Sequence, residues 1–201
     1  MDTQTKQKGL VMAHIGAGKG KTTAAMGVVA RASGAGMNVC ILQFVKAERG
    51  TQQDPNDISK GEWPLSKEII FFEGVTIPEG LGKITTKQFG KGFVGILGDD
   101  KNKDIHIAAA LNGIEQAREI IHSGEYQLVV LDEIISSLEL GLLTEEQVID
   151  LIKNKPESIH LILTGHNKYE KLFELCDLVT EMKMIKHPYY NGLLAQEGID
   201  F

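Results

Sequence analysis

A glycine-rich turn between an apolar strand and an Ala-rich helix constrains this chain more than any other feature. Residues 11–15, VMAHI, form a short apolar run, and Gly16-Ala17-Gly18-Lys19-Gly20-Lys21-Thr22-Thr23 follows. Ala25, Val28, Val29 and Ala32 then recur at helical spacing until Ser33-Gly34. Such a strand–loop–helix turns successive backbone N–H groups inward and adds the positive end of the helix dipole. Phosphate oxygens therefore meet donors without many side chains. Gly16 to Thr23 are the candidate phosphate contacts. Lys21 reaches the phosphates as a point charge, and the Thr22 hydroxyl is a ligand for the Mg2+ (or Mn2+) that travels with a nucleoside triphosphate. The pattern departs from the Walker A loop at one place. Ile15 stands where the first glycine belongs, and the glycine has moved to Gly16, which predicts a loop tightened at its start.

A second landmark lies at Gln127–Glu133. Four apolar residues, Leu128 to Leu131, lead into Asp132-Glu133, the form of a Walker B strand end. A carboxylate there holds the metal directly or through water, and the second shares that role or orients a water. Asp132 and Glu133 join Thr22 as candidate metal ligands.

Between and beyond these landmarks, strands and helices alternate. Residues 38–45 are a nearly continuous apolar run, as expected for a parallel strand covered on both faces. Gln43 sits at its carboxyl end, where ligands of open α/β sheets bind. Residues 47–66 are polar and irregular and carry the single Trp, Trp63, while 68–72 read as a third strand. Residues 73–103 hold seven glycines without clear periodicity. This segment reads as a lid or binding loop, with Phe89, Phe93, Ile96 and Leu97 either covering a flat apolar ligand or forming a small core of their own. A helix capped by Asp104 is expected to run to His122 with Ile107, Leu111, Ile114 and Ile121 on one face, and His106 and His122 solvated. Thr144-Glu145-Glu146-Gln147 is a capping box opening a helix to about Lys153. Residues 159–164 are a fifth strand, 168–175 a short helix, and 178–186 a last extended segment. Residues 1–8 form a loose polar arm, and the tail 187–201 is expected to pack back near the site. The whole predicts a single α/β domain over 1–201, P-loop NTPase-like (RecA-like), three-layered, with a mainly parallel sheet.

Composition narrows the partners. A formal charge of -6 provides no basic face for a nucleic-acid backbone. No stretch approaches the length of a membrane span and no apolar signal core opens the chain, so a cytoplasmic protein is expected. Cys40 and Cys176, far apart in apolar runs, are expected to be free thiols in a reducing compartment.

From Gly9 to Phe201 the chain resembles the P-loop type of ATP:corrinoid adenosyltransferase. The resemblance rests on GAGKGKTTAA at 16–25, QFVK at 43–46, GF at 92–93, VVLDE at 129–133, LTG at 163–165, DLVTEM at 177–182, KH at 186–187 and AQEGIDF at 195–201. It implies that a cobalt(I) corrinoid attacks the 5′ carbon of ATP, bound in reversed polarity, and that triphosphate leaves. Lys21, Thr22 and Glu133 would carry the catalysis, with Gly16–Thr23 and Gln43 on ATP. Phe93, His166 and Ile96 would face the corrinoid. Phe93 keeps a family aromatic, Gly95 stands where some members carry Trp, and His166 stands where Arg is common. A reduced flavin or flavoprotein as electron donor and a homodimer are further implications. Another P-loop ATPase or small-molecule kinase, and a corrinoid-delivery module, are the alternatives.

Overall fold

The computed structural model describes residues 8–47, 78–92, 94, 101–194, 196 and 199. Their elements are β1 (Val11–Ile15), α1 (Lys21–Gly34), β2 (Val39–Ala47), β3 (Ile84–Gly90), α2 (Lys103–His122), β4 (Leu128–Asp132), α3 (Ile134–Glu139), α4 (Glu145–Lys153), β5 (His160–Thr164), α5 (Glu170–Phe173) and β6 (Leu178–Glu181). A short 3-10 turn follows at Pro188–Asn191. The six strands form one sheet in the order β3-β2-β4-β5-β1-β6, and every pairing is parallel. The predicted α/β architecture is therefore present, with helices on both faces as a parallel sheet requires.

Period-two alternation divides the core. Val11, Ala13 and Ile15 of β1 point to the face covered by α2, α3 and α4, with Leu131, Leu161 and Leu163. Ala25, Met26 and Val29 of α1 cover the other face, over Ile41, Val130 and Ile162. The Thr144 capping box is formed as expected, with Thr144 Oγ1 and Gln147 Oε1 exchanging backbone bonds. Cys40 and Cys176 are free, and burial raises their thiols to about 12 and about 11, so both stay protonated. Among the described residues, no helix is long and apolar enough to cross a membrane.

Five expectations are corrected. Residues 84–90 are not lid but the sheet's edge strand, paired with β2 from Val39↔Ile84 to Gln43↔Gln88. Phe89 is accordingly core: it is buried, and its ring lies 6.2 Å from that of Phe44. Helix α2 is capped by Asn102, whose Oδ1 accepts from the Asp104 amide, and not by Asp104. Its buried face is made mainly of small residues, Ala110, Gly113 and Ala117, with Ile114 and Ile121, while Leu111 is exposed. A Cβ on Gly113 would come within 3.0 Å of Phe44, so the helix lies close enough to the aromatic pair to exclude longer side chains. That face also carries His106, which is buried, not solvated. The strand expected at 68–72, Trp63, Gly95 and Leu97 lie outside the described residues.

Candidate functional site

Parallel register brings one polar residue from each strand into a single row across the sheet, on the face covered by α1. Gln88 pairs with Gln43, and Gln43 with Asp132. Thr164 pairs with His14, and His14 with Thr180. Strands lie about 4.8 Å apart, so neighbours in such a row are within reach of one another. Gln88 Nε2 donates to Gln43 Oε1 at 2.7 Å, and Gln43 Nε2 donates to Asp132 Oδ2 at 3.0 Å. Thr164 Oγ1 donates to Asp132 Oδ1 at 2.8 Å, and Thr22 Oγ1 donates to the same oxygen at 2.9 Å. Asp132 is fully buried, and this fan of donors permits a carboxylate there.

The glycine loop rises from the end of β1. Ile15, at the displaced-glycine position, simply prolongs the strand into the core, and its carbonyl accepts from the Met182 amide at 2.8 Å. The loop then begins at Gly16, whose N–H donates to the His166 carbonyl at 3.0 Å, and is fastened by Gly18 N–H to the Met182 carbonyl at 2.8 Å. A Cβ at Gly18 would lie 2.6 Å from that carbonyl oxygen, so only glycine allows the loop to back onto the end of β6. Helix α1 starts after Gly20 (φ 103°) with no capping side chain and no acidic residue in its first turn. Its first amides are thus left for an anion, with the helix dipole behind them.

Lys21 is buried, and its Nζ donates to the Gly16 and Gly18 carbonyls, each at 2.9 Å. Burial lowers its pKa, opposed by the charges of Glu133 and Asp132. The ammonium is held inside the loop's curve, beside the carboxylates and at the helix start.

Glu133 adopts a left-handed conformation, φ 63°, unusual for a residue with a side chain and costing on the order of 1–2 kcal/mol. Several bonds hold it there. Its N–H donates to Thr164 Oγ1 at 2.8 Å, its carbonyl accepts from the Ser137 amide at 3.0 Å, and its carboxylate accepts from Ser136 Oγ. Ser136 Oγ also lies 3.2 Å from His166 Nδ1. Gly165 makes this convergence possible: a Cβ there would meet Ile135 and the Ser136 amide at 2.5 and 2.6 Å.

The structure therefore brings together Lys21, Thr22, Gln43, Asp132, Glu133 and the Gly16–Thr23 loop. His166 stands beside them, exposed, with its carbonyl on the loop and its ring near Ser136. Gln43 is fully buried and bonded to Asp132, so it touches the carboxylate that faces the loop. Phe93 and Ile96, the other expected corrinoid contacts, lie outside the described residues. Thr164, Gln88 and Ser136 were not singled out from sequence. For Thr164 the available signal was a lone polar residue ending an apolar strand on the α1-facing parity. Thr22 and Asp132 supply a pair of hard oxygen donors. Among the described residues no group of three His, Cys, Asp or Glu is placed to hold a metal. This donor set fits Mg2+, which binds through one or two protein oxygens and completes its octahedron with phosphate and water.

Residues 7–201 match the family of ATP:corrinoid adenosyltransferases BtuR/CobO/CobP. The chain is 35% identical to a corrinoid adenosyltransferase of Sinorhizobium sp, over 100% of its own length and 84% of that protein's. It is 32% identical to a corrinoid adenosyltransferase of Pseudomonas aeruginosa (97% and 85%) and 28% identical to one of Escherichia coli K12 (97% and 87%).

Proposed function

The chain belongs to the ATP:corrinoid adenosyltransferase family and is thereby a transferase, and we propose that it moves the 5′-deoxyadenosyl group of ATP onto a cobalt(I) corrinoid with release of inorganic triphosphate. The observation that carries this reading is the uncapped start of α1 under a glycine loop, set beside the Thr22–Asp132 oxygen pair. It is a cradle for several linked phosphates and a divalent cation.

In this reading the cobalt(I) electron pair forms the cobalt–carbon bond while the C5′–O bond breaks, and the oxygen keeps its pair as triphosphate departs. Cobalt(I) is already a potent nucleophile, so no side chain need activate it. The chain's work is to stabilise the leaving charge. The uncapped first amides of α1 and Lys21 point donors at it, and such preorganised donors cost no reorganisation at the moment of reaction. Thr22 and Asp132 would hold the Mg2+ (or Mn2+), which would supply charge neutralisation to the phosphates. Gln43 positions Asp132 through its Nε2 bond, and Glu133 would share in holding the metal or orient a water. Phe93, Ile96 and His166 face the corrinoid, the first pressing on its lower face so that four-coordinate cobalt is easier to reduce. A reduced flavin or flavoprotein supplies the one electron that takes cobalt(II) to cobalt(I). The active species is a homodimer in the cytoplasm, and 1–201 act as one domain.

Anaerobic incubation with ATP and chemically reduced corrinoid tests this. The cobalt(I) absorbance disappears with one triphosphate released per corrinoid. Release of ADP and phosphate with the corrinoid untouched would instead establish a kinase or ATPase. Corrinoid bound without a cobalt–carbon bond would establish a delivery module.

A further inference from the structure

The polar row continues outward past Gln43, and its outermost member, Gln88, has no part in the reading above. Gln88 stands on β3, the end strand in the sheet order. Only Phe89 and Gly90 of that seven-residue strand are buried, so β3 is held mainly by its pairing with β2. The pairing is regular from Val39↔Ile84 to Gln43↔Gln88 and then shifts, the next partners being Ala47↔Gly90. Gln88 therefore closes the regular ladder at the level of the Asp132 carboxylate, which pairs with the same Gln43 from the other side.

The hydrogen-bond directions follow from the carboxylate end. A carboxylate accepts only, so the Gln43 amide must turn its Nε2 to Asp132, which it does at 3.0 Å. Gln43 Oε1 is thereby turned toward the edge strand, in a side chain that is fully buried, where an acceptor needs a donor. Gln88 Nε2 is that donor, at 2.7 Å. A Gln43 amide rotated by half a turn would set its oxygen against the Asp132 carboxylate, and the Gln88 bond opposes that rotation. We propose that Gln88 is a positioning residue for the metal carboxylate: acting through Gln43, it fixes how Asp132 is presented beside Thr22, and so ties magnesium binding to the docking of the edge strand. This rests on the reading above in so far as Thr22 and Asp132 hold the cation of the triphosphate; it needs no particular direction of the nucleotide along the loop. The tie is reciprocal, so nucleotide with magnesium also holds β3 on the sheet.

Calorimetric titration with ATP, in excess magnesium and again in EDTA, tests the proposal on Gln88→Leu, Gln88→Lys and Gln88→Glu. Leucine removes the donor, and the metal must then re-impose a geometry that one neutral hydrogen bond had held. The Kd for magnesium-ATP therefore rises by about three- to tenfold, while the Kd in EDTA stays within about twofold. Lysine is a donor only and keeps magnesium-ATP binding within about twofold of the parent. Glutamate, ionised at about pH 8, is an acceptor only and loses at least as much as leucine. The field of the added charge alone predicts the opposite order, because a carboxylate near Asp132 attracts magnesium and an ammonium repels it. That opposite order overturns the proposal, as does an unchanged magnesium-ATP Kd in Gln88→Leu, or an equal loss with and without magnesium. Hydrogen exchange reads the reciprocal effect: magnesium-ATP slows the amides of 84–90 in the parent more than ATP in EDTA does, and Gln88→Leu abolishes that increment. An increment that survives in Gln88→Leu also overturns the proposal. Gln88 is half-buried, and thermal melts confirm that the variants remain folded. A parent whose ATP Kd is indifferent to magnesium would remove the metal site and this role with it. A chain that forms no cobalt–carbon bond yet keeps the order of the three variants would remove the transfer reading alone. Normal transfer without that order would remove only the role of Gln88.

Discussion

Thr164→Val isolates one hydroxyl on which the site's geometry depends. Thr164 is fully buried; its Oγ1 donates to the Asp132 carboxylate at 2.8 Å and accepts the Glu133 amide at 2.8 Å. Valine preserves shape and volume and deletes both bonds. Losing a donor to a charged acceptor costs about 1.5–3 kcal/mol, and leaving the Glu133 N–H buried without a partner costs about 1–3 kcal/mol more. The new methyl returns about 1 kcal/mol of apolar transfer energy. A net loss of about 3 kcal/mol follows, which for a chain of this size lowers Tm by roughly 6–12 °C. The left-handed turn at Glu133 loses one of its holds at the same time, so magnesium-dependent nucleotide affinity should fall with stability. Thermal melts by circular dichroism and ATP titration with and without magnesium read the two effects separately. Thr164→Ser keeps both bonds and should lose only about 1 kcal/mol, the missing methyl. A valine variant that melts within about 2 °C of the parent and binds magnesium-ATP equally well would refute the reasoning.

Three further outcomes are expected. Lys21→Ala, which removes the ammonium in the loop's curve, should lower turnover by about 10²–10³-fold, and activity within tenfold of the parent would exclude a catalytic role. Gly18→Ala drives a methyl into the Met182 carbonyl and should weaken ATP binding by about tenfold or more, about one charged hydrogen bond; an unchanged Kd would mean the loop's seat on β6 is irrelevant. His14 is buried, both its ring nitrogens lack a partner among the described residues, and burial holds its pKa below the ordinary 6.5. As pH falls, the unfolded chain takes up this proton first, so stability is lost from about pH 6.5 down to the lowered folded pKa. His14→Phe should therefore raise Tm by about 2–4 °C at neutral pH and flatten that acid-side slope. The slope should persist in part, because His160 is also shifted down, by burial and then by Lys155. A variant that melts lower with the full slope would show that the imidazole has a partner worth keeping.

The parts legible in the sequence were those written in local signals. The apolar runs of β1, β2, β4 and β5, the glycines before Lys21 and the Thr144 box each name their own structure within a few residues. The misreadings share a different cause. Ile84–Gly90 alternates polar side chains and ends in glycine, so only its pairing with β2 makes it a strand. Phe89 does not read as part of the domain core because the helix that covers it, α2, does so with Ala110, Gly113 and Ala117, residues too small to advertise a core-facing stripe. His106 falls on the same stripe. The polar row could not be read at all, because Gln43, Gln88, Asp132 and Thr164 meet through strand register between segments far apart in the chain. Motif reading found the loop and the two carboxylates, and register supplied the donors that fix one of them.

Strand β6 ends the sheet with all four of its residues exposed, Leu178 at 45% and Val179 at 41%, and the chain beyond it exposes Ile185 at 91% and Tyr190 at 73%. Among the described residues no strand pairs with its outer edge, and an unpaired edge in a sheet is a template for another strand. The same stretch of chain, one residue further on, is the seat of Gly18. Any neighbour that orders this margin therefore also stiffens the floor on which the phosphates rest. By linkage any such coupling would be reciprocal: whatever a neighbour on this margin did to nucleotide affinity, nucleotide would do to the neighbour's affinity.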